Sequence, residues 1–143
     1  MTQVGIKGPY QDSAYAVYVQ GLSHDPVDGE TRYFGMLPRI PNATAANNKI
    51  YIRASGMIRR VEIYCFSATA SGTNEAWSLY IRVNNTTDYL IKTLSVNTSE
   101  RVFSNVNLAI ALIDGDFFEI KMVNPVWITN PQATYFGGYV YIE

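Results

Sequence analysis

The sequence predicts an all-β domain, an antiparallel sandwich or barrel of about eight strands. Three observations carry this reading. Short segments alternate apolar and polar residues with a period of two. They recur roughly every ten residues, separated by Asn, Gly, Asp and Pro. No window has a convincing helical period. Strands with one apolar face at that spacing fit two sheets packed face to face. Self-similarity at periods of about 20–50 residues is missing, which sets aside solenoids and propellers.

The elements follow in order. Residues 1–30 read as an N-terminal arm and residues 31–143 as the sandwich. The arm sets Lys7 against Asp12, Asp25, Asp28 and Glu30, and is broken by Gly5, Gly8, Pro9, Gly21, Pro26 and Gly29. Within it, only Ser13–Gln20 has strand character, with Tyr15, Val17 and Val19 on one side. The arm is expected to dock on a partner, with these three residues, Asp25 and Asp28 as its contacts. Arg32–Leu37 is a short strand before Pro38 and Pro41. Lys49–Arg53 turns Ile50 and Ile52 inward and Tyr51 outward. Met57–Ala68 places Val61, Ile63 and Cys65 on one face, and Arg60, Glu62, Tyr64 and Phe66 on the other. Ser71–Asn74 reads as a loop. Ala76–Val83 points Leu79, Ile81 and Val83 inward. Asn84–Thr87 is a tight turn, and Asp88–Val96 is the next strand. A turn at Asn97–Glu100 leads into Arg101–Leu112, read as one strand carrying Leu108, Ile110 and Leu112. After the Asp114-Gly115 turn, Asp116–Val123 has Phe118, Ile120 and Met122 on one face. Pro125 and Pro131 frame a loop that holds Trp127. Thr134–Ile142 closes the chain, with Phe136, Val140 and Ile142 opposite Tyr135, Tyr139 and Tyr141.

Composition narrows the function. The chain has 143 residues, 48% apolar and only 16% charged, with a formal net charge of -1. That suits one ordinary domain and argues against disorder or coiled coil. No excess charge is present to recruit nucleic acid or an anionic membrane. Arg53, Arg59 and Arg60 form the one basic cluster, yet residues 31–143 carry a formal excess of only two positive charges. The one cysteine excludes an intrachain disulfide, and the N-terminus lacks the form of a secretion signal. Chemistry is equally sparse. The one histidine, His24, lies in the arm beside Asp25, where a solvated loop is expected. A hydrolytic triad needs a histidine near a nucleophile, and no GxSxG is present; a cupin-type metal site needs two or three histidines, which one cannot supply. Cys65 faces the core. Asp114 and Asp116 read as turn caps, and Glu62 and Glu119 as solvated faces. No enzyme activity, cofactor or metal is expected.

Two segments resemble a known fold family. Ala111-Leu112-Ile113-Asp114-Gly115-Asp116-Phe117-Phe118-Glu119-Ile120 resembles the penultimate hairpin of complement-C1q and tumour-necrosis-factor jelly rolls. Tyr135-Phe136-Gly137-Gly138-Tyr139-Val140-Tyr141-Ile142-Glu143 is similar to their last strand. Together with Val83–Tyr89 and Asn124–Pro131, the pattern resembles small jelly-roll virion proteins of tailed bacteriophages. The resemblance spans roughly residues 32–143. It implies a C1q/TNF-like jelly roll, a homotrimer, and a place on the virion surface after assembly in the host cytoplasm.

The residues make physical sense of a trimer. Tyr135, Tyr139 and Tyr141 share one face of the closing strand, and three tyrosines form a patch too apolar to leave bare. Gly137 between them is expected to admit another backbone closely, and Tyr33 and Phe117 to extend the surface. Two functions remain. The first is a capsid-decoration or head-fibre protein held by its arm on other virion proteins, such as the major capsid protein. The alternative is a receptor-binding head of a tail fibre or spike, holding a host-surface glycan with Trp77 and Trp127.

Overall fold

The structure is a computed structural model that describes residues 14–69, 75–96 and 98–143. The readings made for residues 1–13, for the Ser71–Asn74 loop and for Asn97 lie outside the described residues. Alternation produces ten strands among the described residues. They are β1 (Tyr15–His24), β2 (Thr31–Phe34), β3 (Ile50–Tyr51), β4 (Gly56–Thr69) and β5 (Glu75–Val83), then β6 (Thr87–Val96), β7 (Glu100–Asn105), β8 (Ile110–Leu112), β9 (Phe117–Val123) and β10 (Gln132–Ile142). A short 3-10 helix, Ala45–Asn48, precedes β3. No helix among the described residues is long and apolar enough to cross a membrane.

The strands form two five-stranded antiparallel sheets, a β-sandwich. The first runs β2-β9-β5-β6, with β3 taking over from β2 along β9. The second runs β1-β10-β4-β7, with β8 taking over from β7 along β4. Their apolar faces meet. Phe34, Trp77, Leu79, Ile81, Phe118, Ile120 and Met122 come from the first sheet, and Val19, Ile58, Val61, Ile63, Phe103, Phe136 and Val140 from the second. Trp77 packs edge-on against Phe103, Trp127 and Phe136 with ring centres 5.9, 5.2 and 5.6 Å away. Phe34 stacks on Phe136 at 4.8 Å. Each such side chain contributes on the order of 1.5–3 kcal/mol through burial, so this aromatic knot joins the sheets.

Local chemistry sets the turns. Asn84 and Asn85 both have positive φ, 52° and 57°, and Thr86 N–H donates to the Val83 carbonyl at 3.0 Å. That is a type I′ turn, which suits asparagine and the twist of the β5–β6 hairpin. Gly115, at φ 96°, closes the turn before β9. The Asp116 carboxylate there accepts from Ile113 N–H and from the Asn84 side chain.

Three expectations are corrected. Arg101–Leu112 is two strands, because the regular ladder with β4 is interrupted at residues 106–109, where Leu108 N–H still donates to the Arg59 carbonyl at 3.0 Å, before β8 resumes it. The boundary at residue 30 does not separate an arm from a domain. β1 pairs with β10 from Ile142↔Tyr15 to Thr134↔His24 and so forms an edge of the second sheet. The segment after β1 is clamped to the loop before β10. Gly29 N–H donates to the Pro125 carbonyl, Asn124 N–H to that of Glu30, and the Asn130 side chain to that of Pro26. Third, Glu119 is not solvated but fully buried.

Candidate functional site

The second sheet turns its polar-side positions outward, and they are largely aromatic. The strand registers set them in rows across β1, β10, β4 and β7. One row holds Gln20, Gly137, Tyr64 and Val102; the next holds Tyr18, Tyr139, Glu62 and Ser104. Tyr135 lies beside Phe66, and Tyr141 beside Arg60. Tyr18 meets Tyr139 at 5.3 Å, and Tyr139 meets Tyr141 at 6.2 Å. Tyr18, Tyr64, Tyr135 and Tyr139 keep 43%, 45%, 44% and 47% of their surface, and Val102 keeps 53%. Among the described residues, nothing in the protomer covers this face.

The sheet therefore brings Tyr135, Tyr139 and Tyr141 together as the sequence suggests. It adds Tyr18, Tyr64, Phe66 and Val102, which the sequence reading left unassigned to this face. Alternation already put Tyr64 and Phe66 on the outward side of their strand. The missing information was which strands lie beside β10, and that is set by long-range pairing. Two expected members are misplaced. Tyr33 and Phe117 belong to β2 and β9 of the other sheet and point from its outer side. There Phe117 meets Tyr51 at 5.4 Å and lies 4.4 Å beneath the Lys49 ammonium. Gly137 is also reassigned: a Cβ there would meet the hydroxyl of the chain's own Tyr18 at 3.0 Å. The room it makes is filled within the protomer.

The expected arm contacts serve the sandwich instead. Val19 is fully buried, and Tyr15 and Val17 pack against the core. Asp25 accepts from Ala133 N–H at 2.8 Å, and Asp28 accepts from Trp127 N–H at 3.0 Å. The two acids pin backbone N–H groups of the segment around β10, and both remain exposed. Trp77 and Trp127 are 0% and 5% exposed, and the Trp77 indole donates to the Asn124 side chain at 2.7 Å. Neither ring presents a face on which a sugar stacks.

The titratable groups fall in separate places. His24 is buried at the end of β1, with its pKa lowered by burial and then by Arg32. Cys65 is in the core, its thiol pushed up to about 11 by burial despite the Arg101 guanidinium 3.6 Å away. Tyr64 is raised by desolvation and then by the nearby Glu100 carboxylate. Among the described residues, no three His, Cys, Asp or Glu side chains are grouped to hold a metal ion.

Two concavities adjoin the aromatic face. A broad opening of about 900 Å³ at one end is lined by Tyr15, Arg59, Arg60, Leu108, Tyr141 and Glu143, among others. A groove of about 420 Å³ runs beside β1 between Val17, Tyr18, Met36, Leu37 and Tyr51. Gln20 and Leu22 send their N–H groups away from β10, to Gly35 and Arg39. By alternation, Ala16 and Tyr18 point their backbone groups the same way. Among the described residues no strand pairs with them there.

A scan against models of known protein families finds no match, and a search of curated proteins finds none.

Proposed function

We propose that this chain is a trimeric virion protein of a tailed bacteriophage, a non-enzymatic capsid-decoration or head-fibre protein displayed on the particle surface. The observation that carries the reading is the aromatic face of the second sheet, which nothing among the described residues covers. A patch of this kind on a folded domain marks an interaction surface, because its exposure to water is unfavourable at about 25 cal/mol per Å². The strand order supports the jelly-roll part of the reading. Among the described strands the first, β1, pairs with the last, β10, then β2 and β3 with β9, β4 with β7 and β8, and β5 with β6. This nested pairing is what a long hairpin rolled into two sheets produces. In a trimer, three copies of the second sheet would meet about a threefold axis as a closed ring.

Attachment is proposed at the β1 side. The backbone groups of Ala16 and Tyr18 that no strand among the described residues pairs, with the apolar groove beside them, suit strand addition by an extended segment of a capsid protein. Three copies then multiply weak contacts through effective concentration. The alternative, a glycan-binding fibre head, loses its two stacking residues to the core.

The test is sedimentation of the purified chain, followed by addition to particles that lack it. A trimer that binds the particle, and that Tyr139→Asp converts to monomer or aggregate, supports the reading. A stable wild-type monomer overturns the trimer, and a specific glycan-array hit promotes the receptor-binding alternative.

A further inference from the structure

We infer that Arg60 of one copy and Glu62 of the next form an ion pair across the seam, which sets its register and its preference for copies of this chain. The inference rests on the trimer reading above.

Arg60 and Glu62 lie two residues apart on the outward face of β4, beside Tyr141 and Tyr139. Among the described residues the ion pairs join His24, Glu30 and Arg32, and Arg82, Asp88 and Lys121. Neither Arg60 nor Glu62 takes part. The Arg60 guanidinium instead lies over the Tyr141 ring at 4.2 Å. That contact satisfies the cation's face and leaves the N–H groups at its edge free. The other acid on this face, Glu100, lies beside Phe66 at the far end of β4. Among the described residues Glu62 has no ion-pair partner, and it lies between Tyr139 and Ser104.

On an open face, water solvates both charges. Beneath a sister copy, a lone carboxylate would be stranded at a cost of several kcal/mol, and so would a lone guanidinium. Covering the face therefore requires the covering surface to bring one cation for Glu62 and one anion for Arg60. A second copy of the same face brings both. In a ring the contact is heterologous, so one protomer's Arg60 side meets its neighbour's Glu62 side, three times over. The two positions differ by about 6.6 Å along the strand, which an arginine side chain spans. Like charges brought together in a wrong register would repel, so the same pair rejects alternatives.

The experiment measures the trimer association constant of the full chain by analytical ultracentrifugation, at fixed salt and protomer concentration. Arg60→Glu and Glu62→Arg should each weaken association at least tenfold. The double exchange, Arg60→Glu with Glu62→Arg, should return it to within about threefold of wild type. Both positions are exposed in the protomer, so circular dichroism should report unchanged folding in all three variants. A trimeric wild type in which the double exchange is as weak as the two single effects combined overturns the ion pair and leaves the trimer standing. A monomeric wild type overturns both.

Discussion

Replacing Glu119 by glutamine should stabilise the protein at neutral pH and leave it unchanged in acid. Glu119 sits mid-strand in β9 on the outer side of the first sheet. It is nonetheless 0% exposed, and neither carboxylate oxygen has a hydrogen-bond partner. Its cross-strand neighbour, Arg82, is engaged by Asp88 and Asn85. Burial pushes the Glu119 carboxyl up to about 7, against the pull of Arg82 and Lys49 and with a smaller push from Asp88. An unfolded glutamate releases its proton near pH 4.5. Between these values the folded chain holds a proton that the unfolded chain has lost, so stability declines as pH rises. The interval is about two and a half pH units at about 1.4 kcal/mol each, or about 3 kcal/mol lost by pH 8. For a chain of this size each kcal/mol moves Tm by roughly 3–5 °C, so the variant should melt on the order of 10 °C higher there. Asp88 and Asp116 are held below the ordinary carboxylate range, so their protonation falls at lower pH, outside this window. The assay is thermal unfolding of both proteins from pH 4 to 8.5 at one protomer concentration. The curves should coincide at pH 4 and diverge above it. Curves that stay parallel across the window would refute the argument that the buried carboxyl carries the proton.

Other outcomes follow from the same geometry. Asp88 joins Arg82 at 2.9 Å and Lys121 at 2.6 Å, and although burial opposes its charge these hydrogen bonds prevail and lower its pKa. Its stabilisation is present above about pH 4 and lost as pH falls further; Asp88→Asn should cost at most about 1 kcal/mol at pH 7, and denaturant titrations should show the difference vanish in acid. Cys65 should stay inert to a thiol reagent in native buffer and react at once in denaturant; rapid native labelling would contradict its burial. A Cβ on Gly138 would sit 2.0 Å from the Glu62 carbonyl oxygen and 2.6 Å from the Ile63 Cα, so Gly138→Ala must push β10 and β4 apart. It should lose about 3 kcal/mol or more by chemical denaturation, and a near-normal midpoint would show that the strands separate easily.

Period-two alternation made most strands legible, because each shows one apolar face: Ile50 and Ile52 are buried while Tyr51 is 61% exposed, as read. The asparagine and glycine turns were legible from their tolerance of left-handed backbone. Pairing partners were not. Glycines and prolines scattered through residues 1–30 suggested a detached arm, but Val19 is core and the loop acids find backbone donors a hundred residues away. Composition describes a segment's own freedom, whereas β10 lies far off in sequence and supplies β1 with its ladder. The same gap misplaced Tyr33 and Phe117, since an outward residue reveals that it is outward but not from which sheet. It also hid Glu119, which alternation assigns to solvent.

The two outer faces of the sandwich differ in a way that decides which is suited to meet a sister copy. On the first sheet, Arg82, Asp88 and Lys121 satisfy one another, Ser78 and Thr93 share a hydrogen bond of 2.7 Å, and Lys49 and Lys121 lie over the rings of Phe117 and Tyr80. Covering that face would desolvate charges that already have partners, and a neutral or apolar neighbour offers nothing in return. On the second sheet Tyr18, Tyr64, Tyr135, Tyr139 and Val102 are exposed, and Arg60 and Glu62, which join no ion pair among the described residues, are opposite in sign and two residues apart on β4. Covering this face removes apolar surface from water, and a reciprocal Arg60–Glu62 pair would satisfy two of its charges. The asymmetry follows from what each strand places opposite its core residues: β10 and β4 set Tyr135, Tyr139, Tyr64 and Phe66 there beside Arg60 and Glu62, while β5, β6 and β9 set the linked charges Arg82, Asp88 and Lys121 there among Tyr80, Leu90 and Phe117. A seam built on β10 and β4 is therefore the association that burial favours, and one built on β5 and β9 is the association that desolvation opposes.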